Sequence, residues 1–333
     1  MRPPVILLAL TGAAYASWGD RSSEFQNCLT RCSPSQCSLS LPLRITRWTC
    51  EDNCKYTCMH EITTRDKKLG DRVHQYYGKW PFWRLLGMQE PASVAFSCLN
   101  FWAHWRGLAR VRREIPDGHP MKRYYILWAF TGMNAWIWSA VFHTRDWPVT
   151  EKLDYFSAAL TIFYALYYTV IRLFHLYPSA RRNKLTLAPD STRQSTLKLN
   201  AWSLLCGLVY LAHVSYLTLL PRFDYFYNIV FNAVVGISHN VLWALYALPA
   251  SISVLRRFPS RPKAYRPDFA DTAGIMVGFM TCASALELFD FPPLLRVIDA
   301  HSLWHLVTAP IALAWYTFLI QDAQEENWRL HIA

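Results

Sequence analysis

Residues 155–176 read YFSAALTIFYALYYTVIRLFHL, a run of 22 in which Arg172 carries the only formal charge. A helix needs about 20 mostly apolar residues to cross the hydrocarbon core of a bilayer, so this stretch is read as a membrane span. Working outward, comparable aromatic-rich segments lie at 92–110, 124–143, 199–219, 226–248, 270–289 and 303–320. The first is the weakest, because Asn100, His104 and Arg106 interrupt it. The expected fold is an all-α membrane protein, a bundle of seven transmembrane helices over 91–320 preceded by a small disulfide-rich domain. The composition agrees: 53% of the chain is hydrophobic and only 17% is charged, against roughly 25% charged in a soluble domain. So apolar a chain is not disordered.

The charge is distributed unevenly. The chain has 34 Lys and Arg against 23 Asp and Glu. The loops after the first, third and fifth spans, counted with the span ends that lead into them, hold seventeen basic residues between Arg106 and Arg266, whereas the alternate loops hold four: Arg145, Lys152, Arg222 and Arg296. Basic loops stay on the cytoplasmic side, so the basic balance needs no nucleic acid, and the N-terminal region is placed across the membrane. Met1-Arg2, the apolar stretch Val5–Ala14 and the small-residue pattern Ala14-Tyr15-Ala16 read as a secretory signal peptide over 1–16.

Residues 17–90 are polar and hold six of the nine cysteines. After a signal peptide an even cysteine set reads as an oxidised luminal domain rather than a zinc site. Cys28 and Cys32 are four apart, as are Cys54 and Cys58. Two antiparallel helical segments would therefore nest Cys28 with Cys58 and Cys32 with Cys54, leaving Cys37 with Cys50; this is one of several connectivities open to six cysteines. Cys98, Cys206 and Cys282 fall in apolar segments and are expected to be buried free thiols. No Asn-x-Ser/Thr sequon occurs, and residues 321–333 form an expected cytoplasmic tail without a KDEL-type signal.

With that topology, the end of the second span at His143, the start of the third at Asp154 and the start of the seventh at His301 share the luminal membrane surface. Ser139 and His143 are four apart, as are His301 and His305, so each pair occupies one helical face. Three histidines with an open fourth position form a catalytic zinc set. A His-x-x-x-His pair in a chain with 11 histidines is also what a purely structural hydrogen-bonding pair would look like. His213, in the fourth span, is expected to make a structural hydrogen bond. Asp146, Asp224, Glu287, Asp290 and Asp299 are expected to be loop charges or helix caps, with Asp299 a candidate support for a ligand histidine. His104, His175, His239 and His331 are placed away from the luminal cluster.

The stretch Asn134-Ala-Trp-Ile-Trp-Ser139-Ala-Val-Phe-His143-Thr-Arg-Asp146, then Leu153-Asp154-Tyr-Phe and Asp299-Ala-His301-Ser-Leu-Trp-His305, resembles the membrane hydrolase superfamily of alkaline ceramidases and adiponectin-receptor-like proteins. Trp48-Thr-Cys50-Glu-Asp-Asn-Cys54-Lys-Tyr, Lys79-Trp-Pro-Phe82, Glu90-Pro-Ala-Ser93, His213-Val-Ser-Tyr-Leu217, Arg222-Phe-Asp-Tyr225 and Leu286-Glu-Leu-Phe-Asp-Phe-Pro-Pro293 resemble one branch, the GPI-anchor-remodelling phospholipases. The resemblance covers about residues 20–310. It implies removal of the sn-2 acyl chain from the inositol phospholipid of GPI-anchored proteins, in the endoplasmic reticulum or the Golgi membrane. It also implies a Zn2+ cofactor on His143, His301 and His305, with Ser139 and Asp154 as catalytic residues. In the mechanism so implied, water activated at the metal attacks the ester, Asp154 orients and deprotonates it, and Ser139 assists the oxyanion; Ser139 as covalent nucleophile is the alternative. A non-catalytic seven-helix lipid receptor or chaperone, and a ceramidase-like amidase, remain the competing readings.

Overall fold

A computed structural model describes residues 17–32, 37–177 and 189–328; the expected signal peptide and His331 lie outside them. The described residues are helical without a named strand, and they divide into two compact units.

The first unit comprises the chain up to Cys98, Ser139–Glu151 and Ala285–Leu306. Its short helices are α1 (Trp18–Arg21), α2 (Ser23–Arg31) and α3 (Leu41–Ile45), followed by the longer α4 (Cys50–Leu69). Thr49 and Asp52 start α4 with a reciprocal capping box: the Thr49 hydroxyl accepts from the Asp52 amide, and the Asp52 carboxylate accepts from the Thr49 amide. Gly70, at φ 78°, ends it in the left-handed conformation that a residue without a Cβ adopts at low cost. Disulfides Cys28–Cys58, Cys32–Cys54 and Cys37–Cys50 join α2 and the following segment to α4, in the nested order expected from the spacing. Phe25, Cys58, Ile62 and Tyr76 form the small core. A domain this small gains much of its stability from such cross-links.

His60 lies buried on the inner side of α4. Its Nε2–H donates to the Phe82 carbonyl at 3.0 Å, so Nδ1 accepts from Arg296 Nη1 at 2.9 Å, and the ring stacks on Trp83 at 4.0 Å between centroids. Burial pushes the imidazole down to about 4, the Phe82 carbonyl pulls against it, and Arg296 and Arg84 add to the depression. The Trp83 amide in turn donates to the Arg296 carbonyl at 2.9 Å. Residues 290–299, which lead to His301, are thereby tied to the cysteine-rich segment.

The second unit comprises Leu99–Trp138, Lys152–Ser284 and the chain from Val307. Seven long helices supply it and the helix ends of the first unit: α5 (Pro91–Glu114), α6 (Lys122–Thr144), α7 (Pro148–Leu173), α8 (Pro189–Leu219), α9 (Tyr225–Ala247), α10 (Ala270–Leu288) and α11 (Ala300–Gln324). Pro91, Pro148 and Pro189 stand first in their helices, where a missing N–H leaves no bond unmade. Four of the seven, in α7, α8 (from Ser195), α9 and α11, are long and apolar enough to cross a membrane, so the chain is a helical membrane protein. On α8, Leu204, Leu208 and Leu211 form an exposed stripe at helical spacing, the mark of a face turned to lipid.

The core of this unit is aromatic, with Tyr125, Tyr168, Trp243, Tyr246, Tyr316 and Phe318 wholly buried. It also encloses an ion pair. Arg172 Nε and Nη2 donate to the two Asp322 oxygens at 2.6 and 2.7 Å, and Tyr246 donates to Asp322 Oδ1 at 2.9 Å. The bidentate fork satisfies charges that would otherwise be prohibitive in so apolar a place.

Several expectations are corrected. Cys206 is buried, but Cys98 and Cys282 are exposed on their helices; in a membrane chain apolar segments face outward as well as in. His213 is buried with neither ring nitrogen hydrogen-bonded among the described residues. It stacks on Phe231 at 3.9 Å and faces Tyr227 at 5.5 Å instead, held as an aromatic ring rather than as a polar group.

Candidate metal centre

Helix ends in the first unit deliver the candidate residues. Ser139 and His143 occupy the last turns of α6, and His301 and His305 the first turns of α11. Asp299 caps α11, its Oδ1 accepting from the Ser302 amide at 2.9 Å while the Ser302 hydroxyl accepts from the Asp299 amide at 3.0 Å. The ring nitrogens of His143, His301 and His305 lie within 4.8 Å of one another. The facing atoms are all Nε2: His301 to His143 is 3.3 Å and His305 to His301 is 3.0 Å.

The other nitrogen of each ring is engaged by an acceptor. His143 Nδ1 meets Glu90 Oε2 at 2.7 Å, and His301 Nδ1 meets Glu287 Oε2 at 2.9 Å. His305 Nδ1 meets the Ser97 hydroxyl at 3.1 Å and the Ser93 carbonyl at 3.3 Å. Carboxylates and a carbonyl fix each Nδ1 as the protonated nitrogen, which leaves an Nε2 lone pair on every ring pointing at the shared space. Three convergent lone pairs repel one another unless a cation lies between them, and a carboxylate or carbonyl behind each imidazole is the usual support of a metal-binding histidine. The donor set therefore fits a metal ion, and three imidazole nitrogens suit zinc.

Glu90 is the residue that sequence reasoning missed. Its amide also donates to the His143 carbonyl at 3.0 Å, and Lys79 Nζ binds its second carboxylate oxygen at 2.5 Å and Asp146 at 3.1 Å. Burial pulls the Glu90 carboxyl up, but Lys79 and His143 beside it more than reverse this and hold it well below the usual carboxylate range. Burial likewise lowers the Lys79 ammonium, and Glu90 and Asp146 carry it above its ordinary value. Asp299 takes the expected role of a helix cap, on α11, rather than the candidate role of support for His301. Glu90 and Glu287 hold His143 and His301. Asp146 pairs with Lys79, Asp224 caps α9 by accepting from the Tyr227 amide, and Asp290 accepts from Trp80 and Gln75.

Ser97 is the second residue missed. Its hydroxyl donates to the Ser93 carbonyl at 2.7 Å, so toward Ser139 Oγ at 3.0 Å and His305 Nδ1 at 3.1 Å it is the acceptor. Ser93 and Ser97 are four apart on α5; that common face was the available signal. The structure thus gathers Ser139 and the three histidines in one unit. Asp154 stands near the start of α7, three residues beyond Glu151, the last α7 residue of that unit.

The match to known proteins is long. Residues 40–323 match the profile of the Per1-like family. The chain is 39% identical over 328 residues to the Protein PER1 homolog of Schizosaccharomyces pombe, covering 94% of this chain and 89% of that protein. It is 38% identical to Post-GPI attachment to proteins factor 3 of Drosophila melanogaster, covering 94% and 91%. It is 35% identical to the human GPI-specific phospholipase A2-like PGAP3, covering 96% and 93%. A profile match over most of the chain and near full-length identity above a third place it unambiguously: the chain belongs to the Per1-like family.

Proposed function

We propose that this protein is a zinc-dependent acyl hydrolase that removes the sn-2 fatty acid from the inositol phospholipid of GPI-anchored proteins. Its chain enters the secretory pathway through a signal peptide over 1–16 and crosses the membrane seven times. The cysteine-rich segment and the histidine cluster face the lumen of the endoplasmic reticulum, with the Golgi as the alternative residence. The observation that carries the reading is the convergence of three Nε2 atoms whose Nδ1 partners are Glu90, Glu287 and the Ser93–Ser97 pair. The names of relatives similar over nearly the whole length supply the substrate class.

His143, His301 and His305 hold the ion. Zinc, when bound, supplies positive charge that polarises an ester carbonyl and acidifies water. The chain's own residues do the rest. Glu90, Glu287 and Ser97 keep each Nδ1 protonated and so keep each Nε2 available. Asp154 orients the attacking water and accepts its proton. When its proton turns away from Ser97, the Ser139 hydroxyl donates to the oxygen on which negative charge develops. That role, rather than nucleophilic attack, is favoured because Ser139 rests on Ser97, and the adjacent imidazole of His305 also spends its Nδ1 on Ser97.

The deciding experiment is lipid mass spectrometry of GPI anchors from cells with and without the protein. Loss of the protein should leave anchors with the original sn-2 chain. Unchanged anchors would defeat the assignment in favour of a lipid-binding receptor, and altered ceramide with unchanged anchors would favour an amidase.

A further inference from the structure

The first unit exposes large apolar side chains where a water-facing domain would bury them. On α3, Leu41 is 67% exposed and Ile45 71%; four residues apart, they share one face. Beside them the chain makes a tight turn at Leu85–Met88, closed by backbone bonds of 3.2 and 2.9 Å. Leu86 and Gly87 at its tip both have positive φ, 52° and 86°. Such a tip favours Asn-Gly, and a branched residue there carries strain. Leu86 nevertheless holds the position and is 71% exposed. The turn is seated on α3: a Cβ added at Gly87 would strike Thr46 and the Pro42 carbonyl, and Trp48 Nε1 donates to the Gly87 carbonyl at 2.8 Å.

This apolar surface lies at the ends of the long helices. Gln89 and Glu90, directly after the turn, donate to the carbonyls of Thr144 and His143 at the end of α6. Leu86 is five residues from Pro91, so it lies within about 18 Å of the start of α5. Arg145, beyond α6, stacks on Trp48 at 3.8 Å, and Arg47 covers Trp147 at 5.6 Å next to the exposed Val149. Trp at a helix end with arginines around it is the composition of a membrane interface, and exposed Arg44 and Arg47 suit lipid phosphates.

We propose that α3 and the Leu85–Leu86 turn insert into the luminal leaflet beside the histidine cluster, with Arg44 and Arg47 on the phosphates. The occupant of this face is membrane lipid. Because Glu90 follows the turn and holds His143, the inserted turn stands where a lipid must leave its neighbours to bring an acyl ester to the cluster. The proposal rests on the membrane topology given above and deepens the assigned lipid hydrolysis, but insertion is measurable without any turnover.

The test uses the full chain in lipid nanodiscs, with Cys98, Cys206 and Cys282 replaced by Ser and a bimane label on Leu86→Cys, Ile45→Cys or, as control, Lys68→Cys. Positions 45 and 86 should show blue-shifted emission and at least threefold stronger quenching by brominated acyl chains than position 68. Water-like emission with equal quenching at all three sites overturns insertion. In a second arm, the double variant Ile45→Asp/Leu86→Asp should lose at least tenfold of hydrolysis in bilayers and retain it in detergent-dispersed lipid; full bilayer activity overturns the loading role. If wild-type protein hydrolyses nothing, the hydrolase assignment falls while the depth measurement still decides insertion.

Discussion

Glu90 holds His143 by two bonds, a carboxylate contact to Nδ1 at 2.7 Å and an amide donation to the same residue's carbonyl at 3.0 Å. Ring and backbone are both fixed, and Lys79 fixes the carboxylate in turn. Glu90→Gln keeps the shape but removes the negative charge behind the imidazole. Metal affinity and turnover should each fall about 10–100-fold. Asp299→Asn, which touches only the cap of α11, should leave both nearly unchanged. Zinc content by mass spectrometry on equally abundant, folded variants separates the two cases.

The residues of the cluster should differ in what they cost. His305→Ala should remove bound zinc together with activity. Asp154→Asn should keep the zinc and lose about 10²–10⁴ in rate, and Ser139→Ala should lose less than either. Chelation should inactivate the wild type, and zinc should restore it. The ratio of lyso to diacyl GPI in membranes carrying each variant is the readout; normal remodelling by zinc-replete Asp154→Asn would sink the assigned base.

His60 titrates in a predictable direction. Its folded value is about 4, below the roughly 6.5 of an unfolded chain, so the unfolded state binds the proton first. Its stabilising contribution is complete above about pH 6.5 and declines as the pH falls toward 4. The difference in unfolding temperature between wild type and His60→Asn should therefore shrink between pH 7 and pH 4. A difference that widens on acidification contradicts the burial argument.

Asp322→Ala leaves Arg172, wholly buried, without its carboxylate. Removing one partner of a buried pair costs about 3–5 kcal/mol, and the variant should unfold at a clearly lower temperature. Glu326→Ala, on an exposed residue of the same region, is the matched control and should change little. Thermal unfolding of the two variants side by side decides the matter; equal unfolding temperatures would mean that the pair contributes nothing to holding α7 and α11 together.

The long helices were legible as apolar, aromatic-rich segments, and four of the seven carry a run long and apolar enough to cross a membrane. Their starts were not: α7 begins at Pro148 rather than near 154, and α8 at Pro189 rather than near 199. Hydropathy registers where lipid begins, whereas proline at the first position and capping register where helix begins. The disulfides were legible in part: the four-residue spacings suggested the nested pairing that the structure shows, but left other connectivities open. Glu90 was not, since it lies 53 residues from His143 in sequence. Of the two roles open to Asp299, helix cap and support of His301, the structure bears out the cap, because the residue before a helix turns its carboxylate to that helix's own amides.

The Arg172–Asp322 pair also bears on how the chain is made. The two residues are 150 positions apart, so α7 leaves the ribosome long before the counter-charge in α11 exists. Until Asp322 is synthesised, Arg172 lacks the carboxylate it pairs with in the fold. A chain interrupted before Asp322 should be left with an unmatched cation at the end of a hydrophobic segment, so α7 should settle into the membrane less firmly there than in a chain that contains α11.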